Sequence, residues 1–433
     1  MGKTAFIFPG QGCHHVGMGK ALYEKYDVAK EIFNKANEAL SYDIKKVCFE
    51  GNLAELSRID IMLPAILTVS VASFHVLVEE YGVIPNFLAG HSLGEYSALT
   101  CSGAIDFYDA VKLVQKRSQL AVEAFQNKDA TMSIVENIDF NTINSLCLAK
   151  TTKDSVVSIG CINGKTQFSI CGDGQAVMEV ENELLIKGAT VTPLIYSLPF
   201  HSPLMENVSI ELEQCLKKVK ISPFKYPVIS NFDAKVYVNE SEIIPKLVKQ
   251  IRYPVQWYSI VEFLRNSNVE NLIEVGSQKI LNNLIGKDFK NFNLLSFNVA
   301  EDREKINEMF SSENKLISNE EHRNMYIKFM EACLGEAVAT KNNCFDEKLY
   351  EINIINKYLQ IENWINNIRV DSNLNYVEIA GEILNNLKCI YDTKGINISE
   401  QYDRFNGLLG ESTVMDVYKP FIDEIFTKAK KVK

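Results

Sequence analysis

Short apolar strands and helical stretches alternate through the first 120 residues, and few architectures accommodate that order. Thr4–Phe8 reads as a strand ending in Pro9-Gly10, and residues 60–80 as a long apolar helix with Pro64 in its first turn. Residues 86–90 give a second strand and 94–101 a second helix, and Asp106 is placed to cap a helix running to about Phe125. Such alternation predicts a parallel α/β sheet covered by helices.

The rhythm changes at Ala130. Strands at 131–136, 155–162, 166–171 and 189–196 and helices at 140–149 and 175–187 follow one another as β-α-β-β-α-β. Asn163-Gly164 between the middle strands is a hairpin signal. This is the ferredoxin-like order, inserted into the larger domain. The α/β pattern then resumes, with Ser202-Pro203 starting a helix and short strands at 228–231 and 271–274. The polar run 311–321 reads as a linker, and the remainder as helices at about 322–340, 346–368, 374–390, 399–409 and 414–430. The expected organisation is α/β: a large subdomain with a parallel sheet, α/β-hydrolase-like, over residues 1–128 and 198–310. A ferredoxin-like small subdomain covers 129–197, and an all-helical C-terminal extension covers 311–433.

Composition narrows the function classes. The chain carries 45 basic and 55 acidic residues, a net charge of −10, so it lacks the basic excess of a nucleic-acid or anionic-membrane binder. The longest apolar stretch, 62–78, contains Thr68, Ser70, Ser73 and His75; it reads as too short and polar to span a membrane, and as buried. No secretory signal is visible, and the ten cysteines show no paired spacing, so reduced thiols and a cytoplasmic setting are expected. No metal or cofactor is called for.

Gly90-His91-Ser92-Leu93-Gly94 lies between a strand and a helix, the setting of a nucleophile elbow. The turn needs small neighbours, and the helix start offers free N–H groups to an oxyanion. The plainer reading is a helix cap. A serine nucleophile needs a base. Of the six histidines, His75 reads as packed in the core, His91 as pointing away from Ser92, His14 and His15 as loop residues, and His322 as linker. His201, between a strand and a helix downstream of the elbow, is the preferred base. Arg117 has Leu113, Val114, Leu120 and Ala121 as helical neighbours, so it points inward. A buried guanidinium needs an anion: either a structural salt bridge or an anionic ligand such as a carboxylate.

Taken together, Phe8-Pro9-Gly10-Gln11-Gly12, Gly90-His91-Ser92-Leu93-Gly94-Glu95, Gln115-Lys116-Arg117, Asn163 with Gln167, Pro199-Phe200-His201-Ser202, Tyr253-Pro254-Val255-Gln256-Trp257 and Glu274-Val275-Gly276 closely resemble malonyl-CoA:acyl-carrier-protein transacylases over about residues 3–300. These serve fatty-acid synthesis or, as free-standing acyltransferases, polyketide synthases in trans. The resemblance implies malonyl-CoA as substrate and a holo acyl carrier protein as partner, with polyketide synthase modules as further partners in the polyketide setting. Ser92 is then the nucleophile and His201 its base, the backbone N–H groups of Gln11 and Leu93 form the oxyanion hole, and Arg117 binds the malonyl carboxylate. Asn163, Gln167, His91 and Phe200 border the substrate, and a backbone carbonyl near Gln250 orients His201 in place of an acid.

Phe200 resembles the malonyl-selective pattern, since its ring would crowd a branched acyl group; one methyl is worth only about 1–3 kcal/mol of discrimination. Two positions depart from the family: Leu63 stands where Gln is common, and Cys13-His14 where Ser-Gln is common. Cys13 reads as a packed loop residue rather than a second nucleophile. The helical extension resembles, more weakly, one found on polyketide-type acyltransferases; it either docks a carrier or synthase or simply stabilises the chain, with Trp364 in its core. The competing activities are a thioester hydrolase on the same scaffold, for which Arg117 has no use, and a catalytically dead scaffold, against which the intact Ser92, His201, Gln11 and Arg117 argue.

Overall fold

The computed structural model describes residues 2–195, 197–314, 319–370, 376–410 and 422. The chain forms two compact units, 1–311 and 312–433.

The first unit is built on a parallel sheet of β1 (Lys3–Phe8), β2 (Phe87–Gly90), β7 (Val228–Ile229), β8 (Val269–Glu274) and β9 (Asn293–Ser296), ordered β7-β2-β1-β8-β9. β1 is central, and Thr4 to Phe8 are all buried, which is why it reads as an unbroken apolar run. Phe6 and Phe8 pack on Phe74 of helix Ile59–Tyr81. That helix extends one residue beyond the expected 60–80 at each end. At 23 residues and a mean hydropathy of 2.1 it is long and apolar enough to span a membrane, but most of it is buried here, and Pro64 falls in its second turn. Two of its buried hydroxyls find partners within the protein: Thr68 donates to the Pro64 carbonyl, and Ser73 accepts from Asn298.

The second sheet holds β3 (Ala130–Glu136), β4 (Val157–Ile162), β5 (Gln167–Asp173) and β6 (Thr190–Pro193), ordered β4-β5-β3-β6 with every pair antiparallel. Helices Phe140–Lys150 and Gly174–Ile186 pack on it through Ile143, Val177, Val180 and Leu184. This is the ferredoxin-like arrangement. It is tied to the larger subdomain by backbone bonds to the segment before helix Trp257–Asn266: Ile162 donates to the Val255 carbonyl at 2.9 Å, and Val255 to that of Gly160 at 2.9 Å. Ser202 occupies the expected cap position, but its hydroxyl donates to the Pro199 carbonyl instead, and a 3₁₀ turn, Pro203–Met205, precedes helix Glu206–Leu216.

In the second unit helices Asn319–Ala339, Glu347–Tyr350, Asn356–Val370, Tyr376–Thr393 and Ile398–Gly410 enclose a separate core that includes Tyr326, Met330, Ile361, Ile365, Leu387 and Tyr391, with Trp364 packed against it. A widened π turn, Glu351–Ile355, joins the second and third of these helices. Buried Lys394 donates to the Ala337 and Thr340 carbonyls, occupying acceptors left free at the end of helix Asn319–Ala339. Of the run 311–321 read as a linker, residues 311–314 close helix Ala300–Asn314 and residues 319–321 open helix Asn319–Ala339, while 315–318 lie outside the described residues. The helix expected at 414–430 lies outside the described residues, apart from Ile422.

Candidate active site

β1 and β2 both deliver their carboxyl ends to one edge of the large sheet, where ligands of open α/β sheets gather. β2 ends at Gly90, and the next helix begins at Leu93. Ser92 between them has φ 54° and ψ −107°, a left-handed conformation costly for a residue with a Cβ. The flanking glycines are obligatory. A Cβ on Gly90 would overlap the Gly94 backbone, and one on Gly94 would overlap the Phe8 carbonyl. Gly94→Ala is therefore expected to cost roughly 3 kcal/mol or more, above ordinary overpacking because the obstructing atom is backbone; urea unfolding measures it.

Two side chains hold the strained turn. Asn231 accepts the Ser92 N–H at 2.7 Å and donates to the Gly90 carbonyl at 2.6 Å. The Gln250 amide donates to the Ser92 carbonyl at 2.7 Å. Both backbone groups of Ser92 are thereby occupied, and its hydroxyl is left for chemistry.

That hydroxyl lies 2.6 Å from Nε2 of His201. The other ring nitrogen, Nδ1, is 2.7 Å from the Gln250 carbonyl, an obligate acceptor. Nδ1 must then carry the proton, and Nε2 is free to take the one on Ser92. His201 is only 2 % exposed, has φ 65°, and donates its own N–H to the Ile251 carbonyl at 2.8 Å. Burial, reinforced by the nearby positive charge of Arg117, pushes the imidazole down to about 3. The base is thus neutral in the free protein over the working range. Protonation would block it, so acylation is lost only as pH falls toward that value. The kcat/KM profile for acylation is expected to show no inflection near pH 6.5, the free-imidazole value of about 6.5.

Arg117 points inward, as its helix face predicts, and is 1 % exposed. Its guanidinium lies 4.4 Å from the Phe200 ring centroid and 5.6 Å from that of Tyr96. Nε and Nη2 have no hydrogen-bond partner. Of the two readings of this residue, the structural salt bridge is not formed among the described residues. A guanidinium stays charged even when burial lowers its affinity for the proton. The site therefore holds a buried cation with open donors beside a serine–histidine pair, an arrangement suited to acyl transfer on an anionic substrate.

The other expected residues are placed unevenly. Leu93 opens the helix behind Ser92, where N–H groups have no intrahelical acceptor. Gln11 is in the exposed turn after β1, and the neighbouring Gly10 packs so closely on the His91 carbonyl and Leu93 nitrogen that a Cβ there would sit 2.7 and 3.7 Å from them. His91 turns from Ser92 toward Asn163, with Nε2 2.8 Å from its Oδ1 and the ring edge-on to Trp257. Phe200 lies between Arg117 and His201. The Gln167 carbonyl accepts the Asn163 N–H at 3.0 Å, while its side-chain amide donates to Glu136, which also pairs with Lys287.

His14 contacts Ser57 and His15 contacts Gln278. His75 is not the core residue its helix suggests. It sits at the helix end, partly exposed, 3.0 Å from Glu79 one turn on. The His322 side chain lies outside the described residues. Cys13 is buried, which raises its thiol to about 12, so it offers no thiolate. Sequence reasoning missed Asn231 and the side chain of Gln250. Both are polar residues at the end of an apolar element, the one signal that could have marked them.

The description of the family whose model matches residues 5–291 is acyl transferase domain. A curated malonyl CoA-acyl carrier protein transacylase from Bacillus subtilis is 38% identical over 287 residues, 66% of this chain and 72% of the relative. One from Staphylococcus aureus (strain MRSA252) is 35% identical over 309 residues, 71% of this chain and 99% of the relative. Among solved structures, a type II PKS acyl-carrier protein in complex with its malonyl-transacylase aligns with TM-score 0.68 and 32% identity, over 71% of this chain and 99% of that one. MCAT from Streptococcus pneumoniae aligns with TM-score 0.66 and 34% identity, over 71% and 100%. The elbow, the serine–histidine pair and these likenesses agree, and the chain belongs to the malonyl-CoA:acyl carrier protein transacylase family of acyl transferases.

Proposed function

We propose that this acyltransferase moves a malonyl group from malonyl-CoA to the phosphopantetheine thiol of a holo acyl carrier protein through an ester on Ser92. It does so in the cytoplasm and in trans, for a modular polyketide synthase. His201 takes the Ser92 proton as the hydroxyl attacks the thioester carbonyl. The N–H groups of Leu93 and Gln11 receive the developing oxyanion, and coenzyme A leaves with the proton. In the second half-reaction the carrier's thiol gives its proton to His201, attacks the ester and restores Ser92. No added cofactor is needed.

The observation that carries the reading is the guanidinium of Arg117, buried and with two nitrogens unpartnered beside the nucleophile. A carboxylate on the acyl group completes it; an acetyl or long-chain acyl group does not. The extension beyond the catalytic unit favours the polyketide setting. Service to fatty-acid synthesis is the second reading, favoured by relatives that this chain covers almost end to end without needing that extension.

Intact-protein mass spectrometry tests the proposal. Incubation with malonyl-CoA is expected to add one malonyl mass that persists, is absent from Ser92→Ala, and is discharged by a holo carrier protein. Rapid release of free malonate without a carrier, or faster labelling by acetyl-CoA, would replace the transferase with a hydrolase. If truncation after residue 315 leaves folding and the carrier-protein KM unchanged, the extension does not dock the carrier.

A further inference from the structure

Helix Leu93–Cys101 begins at the nucleophile, and about one turn along it stands Tyr96. Its side chain is wholly buried, yet its hydroxyl has no hydrogen-bond partner. Buried phenols normally find one, because an unmet polar group in a dry interior is costly. Tyr96 has polar neighbours that do not serve it. The guanidinium centre of Arg117 lies 5.6 Å from its ring centroid, but a guanidinium only donates. Glu95 precedes it in the chain and projects about 100° away around the helix. Its Oε1 accepts from Tyr237, and its Oε2 is itself unpartnered, so no bond joins Glu95 to Tyr96.

Burial raises the phenol to about 12, so it keeps its proton and is a donor. With Nε and Nη2 of Arg117 it makes three buried donors, gathered at one place and unpartnered among the described residues. The group is continuous with the reacting pair. Arg117 touches Phe200, Phe200 touches His201, and Nε2 of His201 meets the Ser92 hydroxyl. What such a group lacks is an acceptor with several lone pairs. A carboxylate has about four such sites, and the fork of a guanidinium fills two of them. In a dry site the remaining ones need another donor. One methylene separates the malonyl carboxylate from the carbon that Ser92 acylates, so that carboxylate ends close to the nucleophile and its helix.

We propose that the Tyr96 hydroxyl is a second ligand for the malonyl carboxylate, donating to a lone pair that the Arg117 fork leaves open. The inference rests on the reading of Arg117 as the carboxylate site. Tyr96 then sharpens the choice against uncharged acyl groups, which leave its donor bare along with those of Arg117. The phenol also adds no charge, so it strengthens the carboxylate site without further opposing protonation of His201.

Equilibrium binding to the full-length Ser92→Ala protein tests this free of any chemical step. Malonyl-CoA and acetyl-CoA are each titrated into Ser92→Ala and into Ser92→Ala carrying Tyr96→Phe, with a thermal melt of both proteins. Tyr96→Phe removes the hydroxyl and keeps the ring. The preference for malonyl-CoA over acetyl-CoA, read as the ratio of dissociation constants, is expected to fall about ten- to hundredfold, the usual worth of a hydrogen bond to a charged group. The melting temperature is expected to hold or rise, since an unpartnered hydroxyl contributes nothing to the free fold. An unchanged ratio overturns the proposal. So does a lower melting temperature or a failure to fold, because the phenol would then be a structural partner in the free protein, holding Arg117 rather than substrate. If Ser92→Ala with Tyr96 intact binds malonyl-CoA no better than acetyl-CoA, the Arg117 reading falls and this proposal with it.

Discussion

Arg117→Ala is expected to slow malonyl transfer by about two to four powers of ten while leaving acetyl transfer from acetyl-CoA near its original rate. The magnitude follows from the buried pair. Removing one partner of a desolvated ion pair costs about 3–5 kcal/mol because the other charge is left unpaired, and about 1.4 kcal/mol is a tenfold change in rate. Here the stranded charge would be the malonyl carboxylate, beside the Phe200 ring. The free protein should respond in the opposite sense. Without substrate the guanidinium is buried with Nε and Nη2 unpaired, a cost that folding carries. Arg117→Ala is therefore expected to leave the melting temperature unchanged or raise it, the usual trade of stability against function at a binding site. Acylation rates by mass spectrometry and a thermal melt measure both. A parallel fall in malonyl and acetyl transfer, together with a lower melting temperature, would make Arg117 a structural residue.

That Arg117 was identifiable from sequence, and Asn231 was not, shows where sequence reading succeeds and stops. Arg117 breaks the apolar face of its own helix, a contrast visible between Leu113 and Ala121. The strand order up to β6 was legible for the same reason, since each element there carries its own period and its own turn. Asn231 acts on Ser92 from 139 positions away, and nothing local distinguishes its amide from that of any other asparagine. The short strand β9, which was not read, owes its existence to its neighbour in the sheet more than to its own residues. His75 was misplaced because an almost wholly apolar helix has no polar stripe to mark its exposed end. Of the helices between Lys20 and Leu56, all passed over, Lys20–Lys25, Ile44–Glu50 and Leu53–Leu56 are too short to carry a period, whereas Asp27–Leu40 buries Ala29, Ile32, Phe33, Ala36, Ala39 and Leu40 at helical spacing and was legible. In the G-x-S-x-G segment, sequence located the turn but left cap and nucleophile as alternatives. Geometry separates them, since the hydroxyl bonds His201 and caps nothing.

His201→Ala is expected to slow both half-reactions, by roughly four to six powers of ten, as removal of the base does where nucleophile and base act as a unit. A single imidazole serves both, because the Gln250 carbonyl fixes the proton on Nδ1 and leaves only Nε2 to exchange protons at the reacting centre. With a carbonyl rather than a carboxylate behind it, the imidazolium formed during attack is stabilised by a dipole alone, and Arg117 opposes it. An incoming malonyl carboxylate cancels that opposition, so the substrate that needs the base also restores its basicity. Acyl groups without a carboxylate lack this effect, and their acylation should fall off at a higher pH on the acid side only in variants that lack Arg117, where the opposing charge is gone. The measurements are single-turnover acylation by malonyl-CoA, and discharge of chemically malonylated enzyme by holo carrier protein, each in wild type and His201→Ala. Loss of acylation with discharge intact would show that the carrier's thiol is deprotonated by another group, and the single-base mechanism would fall.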